Sequence, residues 1–335
     1  MNAQKEDEVN RSDSPARPRL HAIWYLAGVA ALLWILATGR PPRATLLWVS
    51  AYDFGHIPLF GIMAVLLFET SRVLFGSSEM RGGNHYLIAF VVVAALSLLS
   101  EFVQIGVAGR EAQARDAVNN MIGAGAFLAL RAVWDRHRWE SGDELNRRLL
   151  FAAATLVLLL ALFPMVTLLW HYGMRAAAFP TLADFDAPWQ QPFIEAPRVE
   201  RTVSAAPPAW KGRKGRPVVR VTFSPRPWPG ILVREPYPDW TGYSVLRFQI
   251  FSDLDRSREV VLWINDLSHN DLRSDRYEET FSIEPGLNDF TVALQDLREA
   301  PAGREMRLDS VTFLMLFTRR PTDTFDLYLG DIWLE

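Results

Sequence analysis

Residues 149–170 read Leu149-Leu-Phe-Ala-Ala-Ala-Thr-Leu-Val-Leu-Leu-Leu-Ala-Leu-Phe-Pro164-Met-Val-Thr-Leu-Leu-Trp170, without a single charged side chain. Roughly 20 mostly apolar residues are enough for a helix to cross the hydrocarbon of a bilayer. This run therefore predicts a transmembrane helix. It also marks a divide in the chain. Upstream, residues 20–170 hold several long apolar runs, whereas residues 171–335 read as ordinary soluble sequence.

Moving upstream, four more helices are expected. They cover about 116–134, 86–107, 54–75 and 20–38, and Pro41-Pro42 closes the first of them. In the second, Glu69 and Arg72 are expected to snorkel at one end. The polar tail 1–19 precedes them. The run 20–38 is long for a signal peptide and ends on the poor cleavage stretch Ala37-Thr38-Gly39, so it is expected to be retained. Lys and Arg concentrate on one side of this bundle. That side holds Lys5, Arg11, Arg17 and Arg19, then Arg72 and Arg81, then Arg131, Arg136, Arg138, Arg147 and Arg148. The opposite loops hold only Arg40, Arg43, Arg110 and Arg115. The expected topology is a multi-pass inner-membrane protein with a cytoplasmic N-terminus and an extracytoplasmic C-terminal domain.

Downstream, residues 171–209 are rich in Pro and Ala and are expected to form a linker. From residue 217 the apolar period falls to two. Strands are expected at 218–223, 244–251, 259–264, 277–283, 289–294, 310–318 and 326–334, separated by turn residues such as Pro285-Gly286. Many short strands with no long helix between them indicate an all-β sandwich over 210–335.

Composition narrows the function classes. A net charge of −3 and the absence of a basic block argue against nucleic acid as a partner. With no cysteine, disulfides, thiol catalysis and thiolate metal sites are excluded. No Walker loop, dinucleotide fingerprint, nucleophile elbow or HExxH motif occurs, so neither a nucleotide nor a redox cofactor is expected.

The chemistry-bearing residues fall in two groups. The first lies at the outer ends of the middle helices. Ser97, Ser100, Glu101 and Gln104 share one helical face, and Asp116, Asn119, Asn120 and Gly123 repeat that spacing. Asp53 and His56 open the second helix. Arg110 and Arg115 sit where either can pair with Glu101 or Asp116. Ionisable groups at such depth face a partner or a wet cavity. The set His56, Glu101, Gln104, Arg110, Asp116 and Asn120 can thus form an outward-facing polar pocket, or it can hold three helices together by hydrogen bonds. Gly123 and Gly125 fit close helix packing.

The segments Asp53-Phe-Gly-His56-Ile-Pro-Leu-Phe-Gly61, Ser100-Glu101-Phe-Val-Gln104 and Gly109-Arg110-Glu-Ala-Gln-Ala-Arg115-Asp116-Ala-Val-Asn119-Asn120-Met-Ile-Gly123 resemble the VanZ-like membrane family, over about residues 20–170. That family is named for a glycopeptide (teicoplanin) resistance protein. The resemblance implies a cell-envelope role and no established reaction. Within the polar cluster, His56, Glu101, Arg110 and Asp116 are the candidate catalytic set, with Gln104, Asn119 and Asn120 as candidate ligand contacts. The attached outer domain departs from the smallest family members.

The second group lies in the sandwich. Asp239-Trp240-Thr-Gly242-Tyr243-Ser-Val-Leu-Arg-Phe248, Asn265-Asp266, His269-Asn270-Asp271, Asp275-Arg276-Tyr277, Pro285-Gly286-Leu-Asn288 and Leu327-Tyr328-Leu329-Gly330-Asp331-Ile332 resemble the galactose-binding-like sandwiches that include many carbohydrate-binding modules. A pyranose presents an apolar face and a rim of hydroxyls, so its recognition needs flat aromatics and planar hydrogen-bonding groups. The loop 265–276 supplies Asp266, His269, Asn270, Asp271 and Arg276, and Trp228 and Tyr237 can stack. The same polar set can equally cap the loop. Trp240, Trp263 and Trp333 read as core. Asp266 and Asp271 are oxygen ligands that suit Ca²⁺, though their spacing matches no calcium motif.

Three functions are compatible with these residues. One is a binding protein that captures an envelope polysaccharide or lipid-linked glycan at the outer leaflet. A second is a membrane enzyme on such a substrate, with Glu101 or His56 as acid or base and Arg110 on a phosphate. The third is an assembly scaffold for other envelope proteins. Transport is disfavoured, because the helices show no inverted repeats or broken midplane helices.

Overall fold

The computed structural model describes residues 16–39, 45–79, 82–105, 114–135, 143–213 and 216–335. The chain forms two compact units, residues Met1–Thr167 and Leu168–Glu335.

The first unit is helical. Its elements are α1 (Ala16–Thr38), α2 (Leu46–Glu79), α3 (Gly82–Ile105), α4 (Ala114–Val133) and α5 (Glu144–Ala178), whose last turns belong to the second unit. Of these, α1, α2 and α5 are long and apolar enough to cross a membrane, and α3 holds a shorter apolar stretch, Asn84–Ser100. These helices mark a membrane-associated protein. Phe60, Met63, Ala64, Phe68, Ala89, Val93, Ala124 and Leu128 form the buried centre. Large apolar groups such as Trp24, Trp34, Leu98, Leu159 and Phe163 stay exposed. Exposure of this kind is costly in water and costs little in hydrocarbon, where lipid tails are as apolar as leucine. On α5, Ala154 is the one buried residue described. Packing is tightest where α2 crosses α4. There, a Cβ on Gly123 would sit 2.1 Å from the Ile57 carbonyl oxygen.

Glu69 is partly buried and paired. Its Oε1 accepts from Arg131 Nε at 2.8 Å and Nη2 at 2.7 Å, and both Arg72 and Arg131 lie over the Phe68 ring.

The second unit is an antiparallel β-sandwich. Its strands are β1 (Thr181–Ala183), β2 (Ile194–Glu195), β3 (Val199–Ala205), β4 (Pro217–Phe223), β5 (Gly230–Arg234), β6 (Val245–Ser252), β7 (Arg258–Asp266), β8 (Tyr277–Ile283), β9 (Gly286–Ala293), β10 (Val311–Phe317) and β11 (Phe325–Leu334). A short helix, α6 (Leu294–Glu299), follows β9. One sheet has the order β3-β4-β11-β6-β9, with β1 also paired to β11, and the other is β2-β5-β10-β7-β8. Val219, Val221, Leu246, Phe248, Ile250, Leu327 and Leu329 of the first sheet pack with Ile231, Val233, Val260, Leu262, Ile264, Leu314 and Leu316 of the second. Alternate residues of each strand supply this core, as period two requires.

The segment 171–209 is not a linker. It completes α5, adds β1 and β2 to the two sheets and supplies the edge strand β3. Strands of two or three residues are too short to show a period. The edge strand β3 is mostly solvated, so its sequence does not alternate cleanly. Strand β5 was also missed, because Gly230-Ile-Leu-Val is buried on both sides and reads as a short apolar run. The last turns of α5 carry Tyr172 and Arg175. Tyr172 hydrogen-bonds the Glu235 carboxylate, and Arg175 Nη1 donates to the Glu235 carbonyl at 2.6 Å.

After β1 the chain turns through a loop that Gln190 clamps, its Nε2 donating to the Leu182 carbonyl at 2.8 Å. Asp184 in this loop is pushed up to about 7 by burial, then by its hydrogen bond to Asp186 and by the charges of Asp186 and Asp331; Arg213, paired to Asp331, opposes the shift. The folded chain thus holds a proton that the unfolded chain releases near 3.8. The group's stabilising contribution is full below about pH 4 and is lost as pH rises through about 7. Asp184→Asn should therefore narrow the fall in melting temperature of the full chain between about pH 4 and pH 8. Parallel melting curves with the same pH slope in both proteins would refute the shared proton.

Candidate functional sites

At one end of the bundle, α2, α3 and α4 bring polar groups together. His56 Nδ1 lies 3.0 Å from Asn120 Oδ1, and Asn120 Nδ2 donates to Ser97 Oγ at 2.8 Å. Asn120 and Ser97 are fully buried. In this arrangement Asn120 Oδ1 can only accept, so His56 Nδ1 donates. Asn119 Nδ2 donates to the Asp53 carbonyl at 3.2 Å. Arg115 pairs with Asp53 at 3.5 Å. Asp116 is close enough to His56, Asp53 and Arg115 to feel their charges, and its buried Oδ1 has no hydrogen-bond partner among the described residues. Arg110 and the side chains of Glu101 and Gln104 lie outside the described residues. The described part of the cluster ties the three helices together.

In the sandwich, the loop 265–276 is shaped mainly by its own polar residues. Asp266 is buried. Its oxygens accept from Arg304 Nη1 at 2.7 Å and Nη2 at 2.8 Å, and from the backbone N–H of Ser268 and Arg307. Arg304 also bonds Asp275, Nε to Oδ1 at 2.5 Å. Those hydrogen bonds hold the Asp275 carboxyl below its ordinary value. Arg304 thus stands against the carboxylate that the sequence offered to Ca²⁺. Among the described residues no group of three or more His, Asp or Glu is placed to hold a metal. His269 Nδ1 donates to the Asp275 carbonyl at 2.8 Å. The Asn270 N–H donates to Asp275 Oδ2, and its Oδ1 caps the Leu272 N–H. Asp271 is exposed, with φ 66°. Tyr237 packs on Phe179 at 4.1 Å between ring centroids, against the core, and is no open platform.

Beyond the loop, the outward face of the second sheet carries an aromatic and apolar stripe. Leu232, Val261, Met315 and Phe317 cluster there with Trp263 and Phe313. Trp263 therefore packs, partly buried, on this second cluster of buried residues and not in the core between the sheets. It stands between the core residues Leu262 and Ile264 and points the other way. Trp333, in the first sheet, likewise alternates with the core residues Ile332 and Leu334 and meets Arg247 on the neighbouring strand β6, while of the three Trp240 is the one in the core. The Arg276 guanidinium lies 3.9 Å from the Trp263 ring centre. Register places Trp263 opposite Glu278. Glu278 Oε2 accepts from Arg276 Nε at 3.0 Å, and Oε1 accepts from Arg273 at 2.6 Å and Arg319 at 3.0 Å. Burial pushes the Glu278 carboxyl up, but the hydrogen bonds from Arg319, Arg276 and Arg273 outweigh it and hold it low. Next to Arg319, Trp228 is 50% exposed, 5.8 Å from Phe317 between ring centroids, with its backbone N–H donating to the Arg319 carbonyl at 3.0 Å. The structure thus brings Trp228 and Arg276 onto one surface. It adds Trp263, Arg273, Glu278 and Arg319, which no sequence signal singled out. The Trp263–Glu278 pairing exists only once β7 and β8 are in register.

No family model matches the chain, and no curated protein matches it. Solved structures similar to it align with less than half of its length. The family 11 carbohydrate-binding module from Clostridium thermocellum, solved with a β-1,3-1,4-mixed-linked tetrasaccharide, is 12% identical over 46% of this chain and 93% of its own, with a TM-score of 0.36. The family 30 carbohydrate-binding module of a cellulosomal cellulase from the same organism is 16% identical over 43% of this chain and 90% of its own, with a TM-score of 0.31. An exo-β-agarase is 12% identical over 46% of this chain and 24% of its own, with a TM-score of 0.38.

Proposed function

We propose that this chain is a membrane-anchored glycan-capture protein of the cell envelope. Its apolar helices hold it in the membrane, and the outward face of the β2-β5-β10-β7-β8 sheet takes the sugar on the extracytoplasmic side. The distribution of Lys and Arg supports that side, and the VanZ-like segments in residues 20–170 support an envelope role. The observation that carries the proposal is Trp228. A tryptophan half exposed on a soluble face, braced by Phe317 and beside a set of guanidiniums, offers the flat apolar surface and planar donors that a pyranose needs.

The full chain in lipid nanodiscs, titrated calorimetrically with a panel of neutral and acidic envelope oligosaccharides, should bind at least one. Trp228→Ala should weaken that binding about tenfold or more, the loss of one stacking aromatic at about 1.5 kcal/mol, with the melting temperature nearly unchanged. Binding that is indifferent to Trp228 would exclude this face as the sugar site.

A further inference from the structure

Around Trp263 the charges do not cancel. Three guanidiniums, those of Arg273, Arg276 and Arg319, meet the single carboxylate of Glu278, which is itself only 7% exposed. Glu278 has two oxygens, and each exposed arginine gives it one Nη2. The side chains of Arg273 and Arg319 are 69% and 45% exposed. Arg276 lies over Trp263 and gives both Nε and Nη2 to Glu278, so its own fork is taken. The two exposed guanidiniums beside it suit a carboxylate, which accepts paired N–H donors.

The surface also has a direction. A 470 Å³ cleft at the β8 edge is lined by Arg273, Arg276 and Glu278 together with Tyr277, Glu279 and Asp296. Glu279 and Asp296 repel an anion there and accept from hydroxyls. On the Arg319 side a second cleft sets one carboxylate, Glu259, among the guanidiniums of Arg258, Arg319 and Arg320, so cations predominate there.

We infer that this face selects acidic glycans: the ring of a uronic acid stacks on Trp228, its carboxylate meets Arg319 and Arg273, and its hydroxyls turn toward Glu279 and Asp296. The inference rests on the glycan-capture proposal and names its ligand class. A chain of uronic acids supplies carboxylates in series, whereas a neutral glucan would leave Arg273 and Arg319 with Glu278 as their shared anion.

The test uses the full chain in phosphatidylcholine nanodiscs. Tetrasaccharides of galacturonan, glucuronan and alginate are titrated beside their carboxyl-reduced counterparts. At least one acid form should bind about tenfold tighter than its reduced partner, with the gap shrinking as salt rises from about 0.05 to 0.5 M. The double variant Arg273→Gln, Arg319→Gln should erase the preference while its melting curve stays that of the parent. Equal binding of acid and reduced forms would overturn the acidic selectivity and leave glycan capture standing. A preference that survives the double variant would place it elsewhere and overturn the assignment. If no tetrasaccharide binds but vesicles containing phosphatidylglycerol do, and do so through Arg319, both proposals fall and the face is a lipid-headgroup site.

Discussion

Arg304→Met should unfold the sandwich well before the parent melts. Arg304 is the cation for the buried Asp266 and also bonds Asp275. Its removal strands Asp266, whose side chain is 0% exposed. Breaking a buried pair from one side costs about 3 kcal/mol or more. A unit of this size loses about 2–4 °C of melting temperature per kcal/mol, so a fall of about 10 °C is expected. Hydrogen exchange over residues 258–283 should rise first, because both carboxylates close the loop between β7 and β8. Adding Asp266→Asn should recover part of the loss, since the stranded charge is then gone. A melting temperature within a degree or two of the parent would show that the backbone N–H groups of Ser268 and Arg307 suffice for Asp266, and would refute the account of Arg304.

Gly123→Val should be as damaging in the helical unit. A Cβ there meets Ile57 backbone at 2.1 Å, and backbone cannot move aside as a side-chain end can. The helices α2 and α4 must separate, at a cost of about 3 kcal/mol or more. The bond between His56 and Asn120 spans the same crossing and should be lost with it. The control is two residues away. A Cβ on Gly125 meets only Phe90, at 3.9 Å, which is ordinary contact, so Gly125→Ala should be tolerated. Detergent-solubilised thermal melts and membrane abundance measure both. If Gly123→Val keeps the parent's melting temperature and abundance, the crossing is not set by that glycine.

These two glycines mark the boundary between what was legible in the sequence and what was not. Both fit a packing motif, and spacing alone treats them alike. Only the docked helices show that one touches backbone and the other an aromatic edge. Tryptophans divide in the same way. Trp240, Trp263 and Trp333 share the same local signature, an aromatic in or beside an apolar run. Burial of Trp240 and outward placement of the other two follow from strand pairing and sheet stacking, which join residues far apart in the chain. Charge partners follow the same logic. Arg115 meets Asp53, and Glu69 meets Arg131, because helix docking decides which side chains come within reach.

What the sequence determined by itself was local and periodic. Apolar runs near bilayer length, such as residues 149–170, specify helices that must meet lipid, and period two from residue 217 onward specifies strands with one buried face. Both signals survive because each residue's environment repeats along its own element. Elements shorter than one such repeat, like β1 and β2, left no signal. The arginine set on Glu278 left none either. Arg273, Arg276 and Arg319 meet on Glu278 only when β7, β8 and β10 lie side by side, because that register joins residues far apart in the chain.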